Sequence, residues 1–564
     1  MTPAAGWNQT YVLFGHGLGF SALVATLPIF TLLLLLGVLR KPAWIAGLSG
    51  LAVTIVVAMW AYRMPPVIAI SAAANGAAFG LFPISWIVFW AIALFRVTVE
   101  TGQFEIIKDS IGKLTSDSRL QALLIAFAFG GFVEGAAGFG TPVAIAATML
   151  IGLGFSPFSA AAICLLANTS PVAFGSIGIP VITLAGITGL PLAKLSAAVG
   201  RLCAPMSFFI PAYLIVAIGG FRSLSGVLLP TLLAGAAFAL VQFIVSNYIG
   251  PQLTDILSSL TAIAAMVLYL RFWHRMKDGN YGAADGTRFA QITAIDRFSS
   301  ASAPGQRVTP HHRSSTVLYA WLPYGILVAC VLLWGFAPIQ AALNRFTLLI
   351  PWPLLNDVVR RMPPIAPSAS PYHAIYSLNW LSASGTSCMI ATFLSAICLR
   401  MKLWDFARLL AGVMHLLRLP TVTLASVLAM AFLMNYCGAT ATLGLAFAAT
   451  GAMFPFFSAL LGWVGVFLTG SDTSANALFG NLQVVTATRL GLDPVLMAAA
   501  NSSGGVMGKM ISLQTIAIAA AATGLPQKDE AKLFRFTFKH SILLAGMVGF
   551  LALLFTYVFH FNWE

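Results

Sequence analysis

Charged residues are scarce in this chain of 564 residues: only 8% are Asp, Glu, Lys or Arg, whereas 59% are hydrophobic. A soluble globular protein has about 25% charged residues, so the composition excludes an ordinary soluble protein. The apolar residues form long runs rather than short alternating segments, which excludes an outer-membrane barrel. The sequence therefore predicts an all-α polytopic membrane protein.

Several functional signatures are also missing. The sequence contains no GxxxxGK[ST] phosphate-binding motif, so ATP-driven transport within this chain is not expected. The six cysteines lie in or beside apolar segments without metal-ligand spacing, and we expect neither a metal nor a cofactor. The sequence shows no nucleophile–base constellation of the kind an enzyme needs, so enzymatic activity is not expected. Residues 1–10 hold no Lys or Arg, and no signal peptide is expected.

The apolar runs define the expected architecture. A membrane-spanning helix needs about 20 mostly apolar residues, which predicts roughly 12–14 transmembrane helices, re-entrant hairpins and broken helices. We expect an N-terminal half at 1–273, a hydrophilic cytoplasmic loop at 274–316 and a C-terminal half at 317–564. Amphipathic stretches at 102–117 and 403–417 are expected at the membrane surface, either as arms of a moving unit or as plain interfacial helices.

Two acidic residues interrupt the apolar segments at glycine- and serine-rich breaks. Glu134 lies in Phe132-Val-Glu-Gly-Ala-Ala-Gly-Phe-Gly-Thr-Pro142, and Asp472 lies in Thr469-Gly-Ser-Asp-Thr-Ser-Ala-Asn-Ala-Leu-Phe-Gly480. A carboxylate at bilayer depth is costly unless it is paired, protonated or hydrated. Similar breaks far apart in a sequence suggest the halves of a transporter site. Both acids are candidates for proton coupling, and a structural ion pair is the alternative.

Two polar motifs follow the acidic breaks. Asn168-Thr-Ser-Pro-Val-Ala-Phe-Gly175 and Asn501-Ser-Ser-Gly-Gly-Val-Met-Gly508 each interrupt an apolar region. They predict unwound helices whose second halves present free N–H groups and a partial positive charge to a carboxylate. Plain helix packing through small residues is the alternative. Lys509 follows the second motif and is expected either to bind the substrate or to pair with Asp472.

The two sets of motifs occur in the same order, which predicts an internal repeat. Lys and Arg are enriched in cytoplasmic loops, so Arg40 and Lys41 place the N-terminus outside. On the same count the first hairpin opens to the cytoplasm and the second opens to the opposite side, as in an inverted repeat. The formal net charge of +14 fits this topology and contact with anionic lipid, and no nucleic-acid partner is expected.

The hairpins and broken helices together predict a small polar cavity. Its proton-coupling candidates are Asp472 and Glu134. Its substrate-binding candidates are polar or glycine residues of the four motifs, together with the lysine: Gly138, Gly140, Thr141, Asn168, Thr169, Ser170, Thr473, Ser474, Asn476, Asn501, Ser502, Ser503 and Lys509.

These motifs, together with Ser246-Asn-Tyr-Ile-Gly-Pro251 and Leu533-Phe-Arg-Phe-Thr-Phe-Lys-His540, resemble the bacterial lactate permease family. The resemblance covers nearly the whole chain, except near 275–315 and 341–375. It implies an inner-membrane symporter that takes up L-lactate, D-lactate and glycolate with protons. A sodium-coupled carboxylate transporter and an anion channel remain open as alternatives, as do the preferred substrate and the oligomeric state.

Overall fold

The computed structural model describes residues 6–112, 114–115, 117–138, 140–273 and 314–559. Within these ranges, 11 helices are long and apolar enough to cross a membrane, or up to 13 if each of two bent helix pairs is one span. The predicted all-α polytopic architecture with broken helices is thereby confirmed. Most of the expected cytoplasmic loop, residues 274–313, lies outside the described residues.

The first half begins with scaffold helices, continues into a hairpin and a bent helix, and ends with three long helices. In chain order these are α1 (Leu18–Leu33), α2 (Ala43–Trp60), α3 (Pro66–Phe79), α4 (Trp86–Glu100), α5 (Gln103–Gly112), α6 (Ser118–Ala122), α7 (Gly130–Ala136), α8 (Thr141–Gly152), α9 (Pro157–Ala167), α10 (Gly175–Thr188), α11 (Leu192–Gly219), α12 (Leu228–Tyr248) and α13 (Thr254–Trp273). Short π-helical segments continue α1, join α3 to α4 and join α6 to α7: Leu34–Val38, Gly80–Ser85 and Leu123–Phe129.

The second half has a comparable order. Its helices are α14 (Ser314–Ala320), α15 (Leu322–Gly335), α16 (Ala337–Asn344), α17 (Ser384–Cys398), α18 (Leu403–Cys437), α19 (Ala439–Phe447), α20 (Phe454–Thr469), α21 (Asp472–Leu490), α22 (Pro494–Lys509), α23 (Leu513–Thr523) and α24 (Gln527–Tyr557). Across both halves, short 3-10 segments occur at Val172–Phe174, Phe221–Leu224 and Ala448–Met453.

Short strands tie the N-terminal segment to the connection between α16 and α17. They are β1 (Trp7–Asn8), β2 (Leu348–Pro351), β3 (Val359–Arg361), β4 (Ser370–Pro371) and β5 (Ile375–Leu378). β1 pairs in parallel with β3, which pairs antiparallel with β4, while β2 and β5 form a separate antiparallel pair. The backbone N–H of Trp7 donates to the carbonyl of Val358 at 2.9 Å. The two halves are thus joined by main-chain bonds outside the helices.

The region after α17 differs from its sequence-based description. The predicted surface stretch at 403–417 does not form a separate element. A single helix, α18, runs from Leu403 to Cys437 with Pro420 inside it. Proline is tolerated in membrane helices because neighbouring groups satisfy the backbone that it leaves unpaired. Gly438 caps the end of α18, and its φ of +93° suits a residue without a Cβ atom.

Two units, each made of a hairpin and a broken helix, meet at the centre of the described structure. The first hairpin consists of α6, α7 and α8, and the second consists of α20 and α21. The first broken helix is the α9–α10 pair, bent by 64°. The second broken helix is the α22–α23 pair, which is interrupted at 510–512, whereas the other strongly bent pair is α15–α16, at 72°. Each broken helix packs against the hairpin of the other unit, since α10 contacts α21 and α23 contacts α8. This crossed packing brings both hairpin tips together.

Candidate functional site

A cavity of about 290 Å³ lies where the hairpin tips meet the broken helices. One water molecule needs only ~10–15 Å³ of such space, so the cavity admits a small organic anion. Its remaining wall comes from α2, α4, α18 and the segment before α4. The lining residues of the hairpins and broken helices are Glu134, Gly140, Val172, Gly175, Ser176, Ile179, Pro180, Thr469, Gly470, Ser471, Asp472, Thr473, Ser474, Lys509, Gln514, Thr515 and Ile518.

The N-terminal ends of four helices contribute to this lining. Backbone N–H groups in a first helical turn have no partner within the helix, and they carry a partial positive charge that favours an anion. Side chains of Ser471 and Ser512 cap two of these ends. The lining residues at these ends are Gly140 just before α8, Ile179 and Pro180 just after the left-handed residues 176–178 of α10, Ser471–Ser474 at the start of α21, and Gln514 and Thr515 in the first turn of α23.

A buried ion pair joins the two units at the cavity. Lys509, at the end of α22, donates from Nζ to Oε1 of Glu134 at 2.8 Å, and their side chains are only 11% and 3% exposed. Gly175 permits this arrangement, because a Cβ at that position would lie 2.7 Å from the same oxygen. The sequence predicts that Lys509 either binds the substrate or pairs with Asp472. In the structure Lys509 pairs with Glu134 instead of Asp472.

Asp472 lies in the same cavity but has neutral hydrogen-bond donors. Its Oδ2 accepts from the Ser502 hydroxyl at 2.7 Å and from the Asn476 amide at 3.3 Å. Its Oδ1 has no hydrogen-bond partner among the described residues. The network continues away from the cavity, since Asn501 donates to Asn476 at 3.0 Å and Gln483 donates to Asn501 at 3.0 Å. Asp472 is thus held in place without a direct counter-ion.

The first broken helix has an unusual backbone where it meets the first hairpin. Ser176 and Ile177 adopt left-handed φ angles of 48° and 60° inside α10. Such conformations cost a non-glycine residue roughly 1–2 kcal/mol and gather at functional sites. The Ser176 hydroxyl donates to the carbonyl of Ala137 at 3.0 Å, which ties the broken helix to the hairpin tip.

The structure brings part of the predicted site set to the cavity. Glu134, Gly140, Asp472, Thr473, Ser474 and Lys509 line it. Asn476 and Ser502 reach it indirectly through their bonds to Asp472, and Asn501 reaches it through Asn476. The others do not line it: Gly138, Thr141, Asn168, Thr169, Ser170 and Ser503.

The two predicted helix breaks have different outcomes. The first occurs as expected, because α9 ends at Ala167 and Asn168–Ser170 leave the helix. The second was misplaced: α22 continues through Asn501–Ser503 to Lys509, and the interruption falls at 510–512. Gly504 and Gly508 face the backbone of α20, where a Cβ would lie 2.2 Å and 2.4 Å from carbonyl oxygens. For these glycines the alternative of close helix packing holds.

Several lining residues were not singled out from the sequence. Ser176 follows Gly175 as Lys509 follows Gly508, and this correspondence was its only signal. Thr515 and Gln514 stand in the first turn of α23, after the capping Ser512. The Ser512-x-x-Thr515 spacing, with a hydroxyl at the N-cap, indicates a helix start and would have located this end of the cavity.

Comparisons with known proteins cover almost the whole chain. A family model described as L-lactate permease matches residues 21–559. The L-lactate permease of Bacillus subtilis (strain 168) is 43% identical over 574 residues, covering 98% of this chain and 99% of the relative. The glycolate permease GlcA of Escherichia coli (strain K12) is 42% identical over 559 residues, covering 98% of each. These relatives confirm the expectation of a transport protein rather than an enzyme.

A solved structure is similar at a lower level. The Alcanivorax borkumensis YdaH transporter aligns with 86% of this chain and 87% of its own, at 14% identity and a TM-score of 0.45. A similarity of this size implies nothing about mechanism. Together, the family match and the apolar helices identify a multi-pass protein of the bacterial plasma membrane.

Proposed function

Because the chain belongs to the L-lactate permease family, we propose that it takes up L-lactate together with protons across the bacterial inner membrane. Relatives named L-lactate permease and glycolate permease support L-lactate and glycolate as substrates, and we include D-lactate in the proposed substrate class. These molecules share a carboxylate and a hydroxyl on adjacent carbons. The cavity offers both a cation and hydroxyl groups for such a pair.

The observation that carries the proposal is the buried Lys509–Glu134 pair in the cavity wall. A substrate carboxylate can replace Glu134 as the partner of the Lys509 ammonium. Breaking a buried pair leaves an uncompensated charge, so Glu134 must take up a proton as it releases Lys509. Proton binding and substrate binding then favour each other, which is the basis of symport. The first-turn N–H groups of α8, α10, α21 and α23 stabilise the same anion.

The charges of the cavity lead to the same conclusion. Glu134 and Asp472 supply two carboxyl groups, and Lys509 supplies one ammonium. Each substrate that enters adds a negative charge, and one proton on either acid cancels it. Inward movement of an uncompensated anion against the membrane potential costs about 2.3 kcal/mol per 100 mV. We assign proton binding to Glu134 and Asp472, with Ser502 and Asn476 holding the Asp472 carboxyl in place.

The substrate contacts follow from the lining. Lys509 binds the carboxylate, while Thr473, Ser474, Ser176 and Thr515 offer hydroxyl groups to it and to the 2-hydroxyl. Among the remaining predicted residues, we propose that Gly140 shapes the lining by allowing the left-handed turn before α8, since its φ is +80°. Gly138, Thr141, Asn168, Thr169, Ser170, Asn476, Asn501, Ser502 and Ser503 support the site from behind the lining.

Uptake into proteoliposomes tests this function. Labelled L-lactate should accumulate when an inward proton gradient is imposed and should not accumulate with a sodium gradient alone. Glu134→Gln should abolish proton-driven accumulation yet retain lactate exchange between equally loaded compartments, because it removes the carboxyl group that takes up a proton as it releases Lys509. Accumulation driven only by sodium would favour the sodium-coupled alternative. Equilibration without accumulation under either gradient would favour an anion channel.

We further propose that the two units have opposite membrane orientations. The support is the basic pair Arg40 and Lys41, which places the loop after α1 inside, and the pairing of β3 with β1, which puts Arg360 on the side of the N-terminal segment. A cysteine replacing Lys41 should be shielded from an impermeant external thiol reagent, whereas one replacing Arg360 should be labelled. Each variant needs a background in which the exposed Cys398 is replaced by Ser. The reverse labelling pattern would reject the orientation.

A further inference from the structure

A third buried carboxyl group lies next to the ion pair and outside the cavity lining. Asp255 is in the first turn of α13, only 1% exposed. Neither of its carboxylate oxygens has a hydrogen-bond partner among the described residues. A buried carboxylate without a partner is costly, so a carboxyl group placed in this way calls for a proton or a nearby positive charge.

The packing of α13 against α7 places Asp255 beside Glu134. A Cβ at Gly135 would lie 2.8 Å from the Cβ of Asp255, and a Cβ at Gly131 would lie 2.7 Å from the Ser259 hydroxyl. Gly131 and Gly135 are one helical turn apart, as are Asp255 and Ser259, so a glycine face of α7 receives a polar face of α13. Glu134 immediately precedes Gly135 in α7.

Among the described residues, one other carboxyl group and one ammonium act electrostatically on Asp255. Glu134 and Lys509 both interact with Asp255, and Asp255 in turn interacts with the buried Cys203 thiol of α11. Two carboxyl groups therefore share one ammonium, and a single bound proton makes the group neutral. The N-terminal end of α13 adds a partial positive charge that offsets part of the cost of ionising Asp255.

The two carboxylate oxygens of Glu134 lie in different environments. Its Oε1 faces Lys509 at 2.8 Å, whereas its Oε2 has no hydrogen-bond partner among the described residues. The cavity lining includes Glu134 but not Asp255. Glu134 can therefore exchange a proton on a side that the substrate does not occupy.

We propose that Asp255 is a second proton-binding carboxyl that passes its proton to Glu134 from behind the substrate cavity. The O–H bond of Asp255 breaks and an O–H bond forms on Glu134, directly or through one water molecule. Asp255 becomes a carboxylate, Glu134 becomes neutral, and Lys509 stays an ammonium that is free to bind the substrate. The total charge of the three groups does not change. This assignment rests on the proposed proton-coupled function and adds a separate proton route to it.

Asp255→Asn tests the assignment, with the exposed Glu105→Gln of α5 as a matched carboxyl-to-amide control. Asp255→Asn should slow proton-driven lactate uptake by roughly 10²-fold, the lower end of what a positioned acid or base contributes to proton transfer. Lactate exchange between equally loaded vesicles and lactate binding in detergent should keep their wild-type values. Glu105→Gln should leave all three measurements unchanged.

An infrared measurement tests protonation directly and does not depend on a folded Asp255 variant. ¹³C-aspartate labelling in the Asp472→Asn background should shift a protonated-carboxyl C=O band that disappears when lactate is added. Absence of that band would overturn the assignment to Asp255. Wild-type proton-driven uptake in Asp255→Asn would overturn it too, as would equal loss of exchange and uptake, which indicates a structural role. If the wild-type protein itself shows no proton-driven accumulation, the proposed function fails first.

Discussion

The two broken helices share a sequence motif but not a backbone path. Asn168-Thr-Ser170 leaves the helix and turns the chain by 64°, whereas Asn501-Ser-Ser503 remains helical to Lys509. The residues that follow explain the difference. Pro171 has no N–H to continue the helix, while Gly504 and Gly505 keep theirs and let α20 approach. A shared polar motif therefore does not determine a shared backbone path, because the residues that follow it decide where the helix breaks.

The difference also determines which side chains reach the cavity. Ser176 and Lys509 hold matching positions after their motifs, and both bond to the first hairpin, at Ala137 and Glu134. Among the described residues, the second hairpin has no equivalent ion pair at Asp472, whose Oδ2 bonds to Ser502 and Asn476. The first hairpin is held by charge and the second by neutral hydrogen bonds. Removing a charge should accordingly affect the two hairpins unequally.

The largest effect is expected from Lys509→Met. This change leaves the Glu134 carboxylate buried without its partner. For a desolvated pair, such a loss costs about 3–5 kcal/mol of stability. Lactate binding should be lost as well. Thermal unfolding in detergent and binding of labelled lactate measure the two effects.

The double variant Lys509→Met/Glu134→Gln separates stability from binding. It should recover most of the unfolding temperature, because no unpaired charge remains, but it should still not bind lactate. Asp472→Asn, which breaks no ion pair, serves as the matched comparison and should unfold near the wild-type temperature. A Lys509→Met protein as stable as the wild type would show that the pair is not desolvated.

An intermediate effect is expected from Gly504→Ala in α22. The added methyl group would lie 2.2 Å from the carbonyl oxygen of Ala459, and overpacking of this kind costs about 1–3 kcal/mol. Gly412→Ala in α18 is the control, because no atom lies within 4 Å of its added Cβ. That change should be neutral or stabilising by up to about 1 kcal/mol, since alanine favours helices. Equal unfolding temperatures for both variants would refute close packing of α22 on α20.

The sequence predicts the architecture better than the contacts within it. Low charge and long apolar runs are sufficient for an all-α membrane protein, and the acidic breaks at Glu134 and Asp472 correctly mark the hairpins. The partner of Lys509 was not predictable, because Glu134 lies 375 positions away and joins it only through crossed packing. Asp255 was missed because a lone acid at a helix start looks like an ordinary first-turn residue. The burial of Asp255 becomes evident only when α13 is packed against Gly131 and Gly135 of α7.

The smallest effect is expected at Ser176, where a hydrogen bond and backbone strain oppose each other. Ser176→Ala and Ser176→Gly both lose the bond to the Ala137 carbonyl, a loss of about 1 kcal/mol. Only glycine also relieves the left-handed backbone at φ 48°, which costs other residues roughly 1–2 kcal/mol. The glycine variant should therefore unfold at a higher temperature than the alanine variant. Ser258, whose hydroxyl bonds to Thr254 within the right-handed α13, should show the opposite order because glycine weakens a regular helix. The same order at both positions would mean that the break at Ser176 stores no strain and that its geometry is held by the hydroxyl alone.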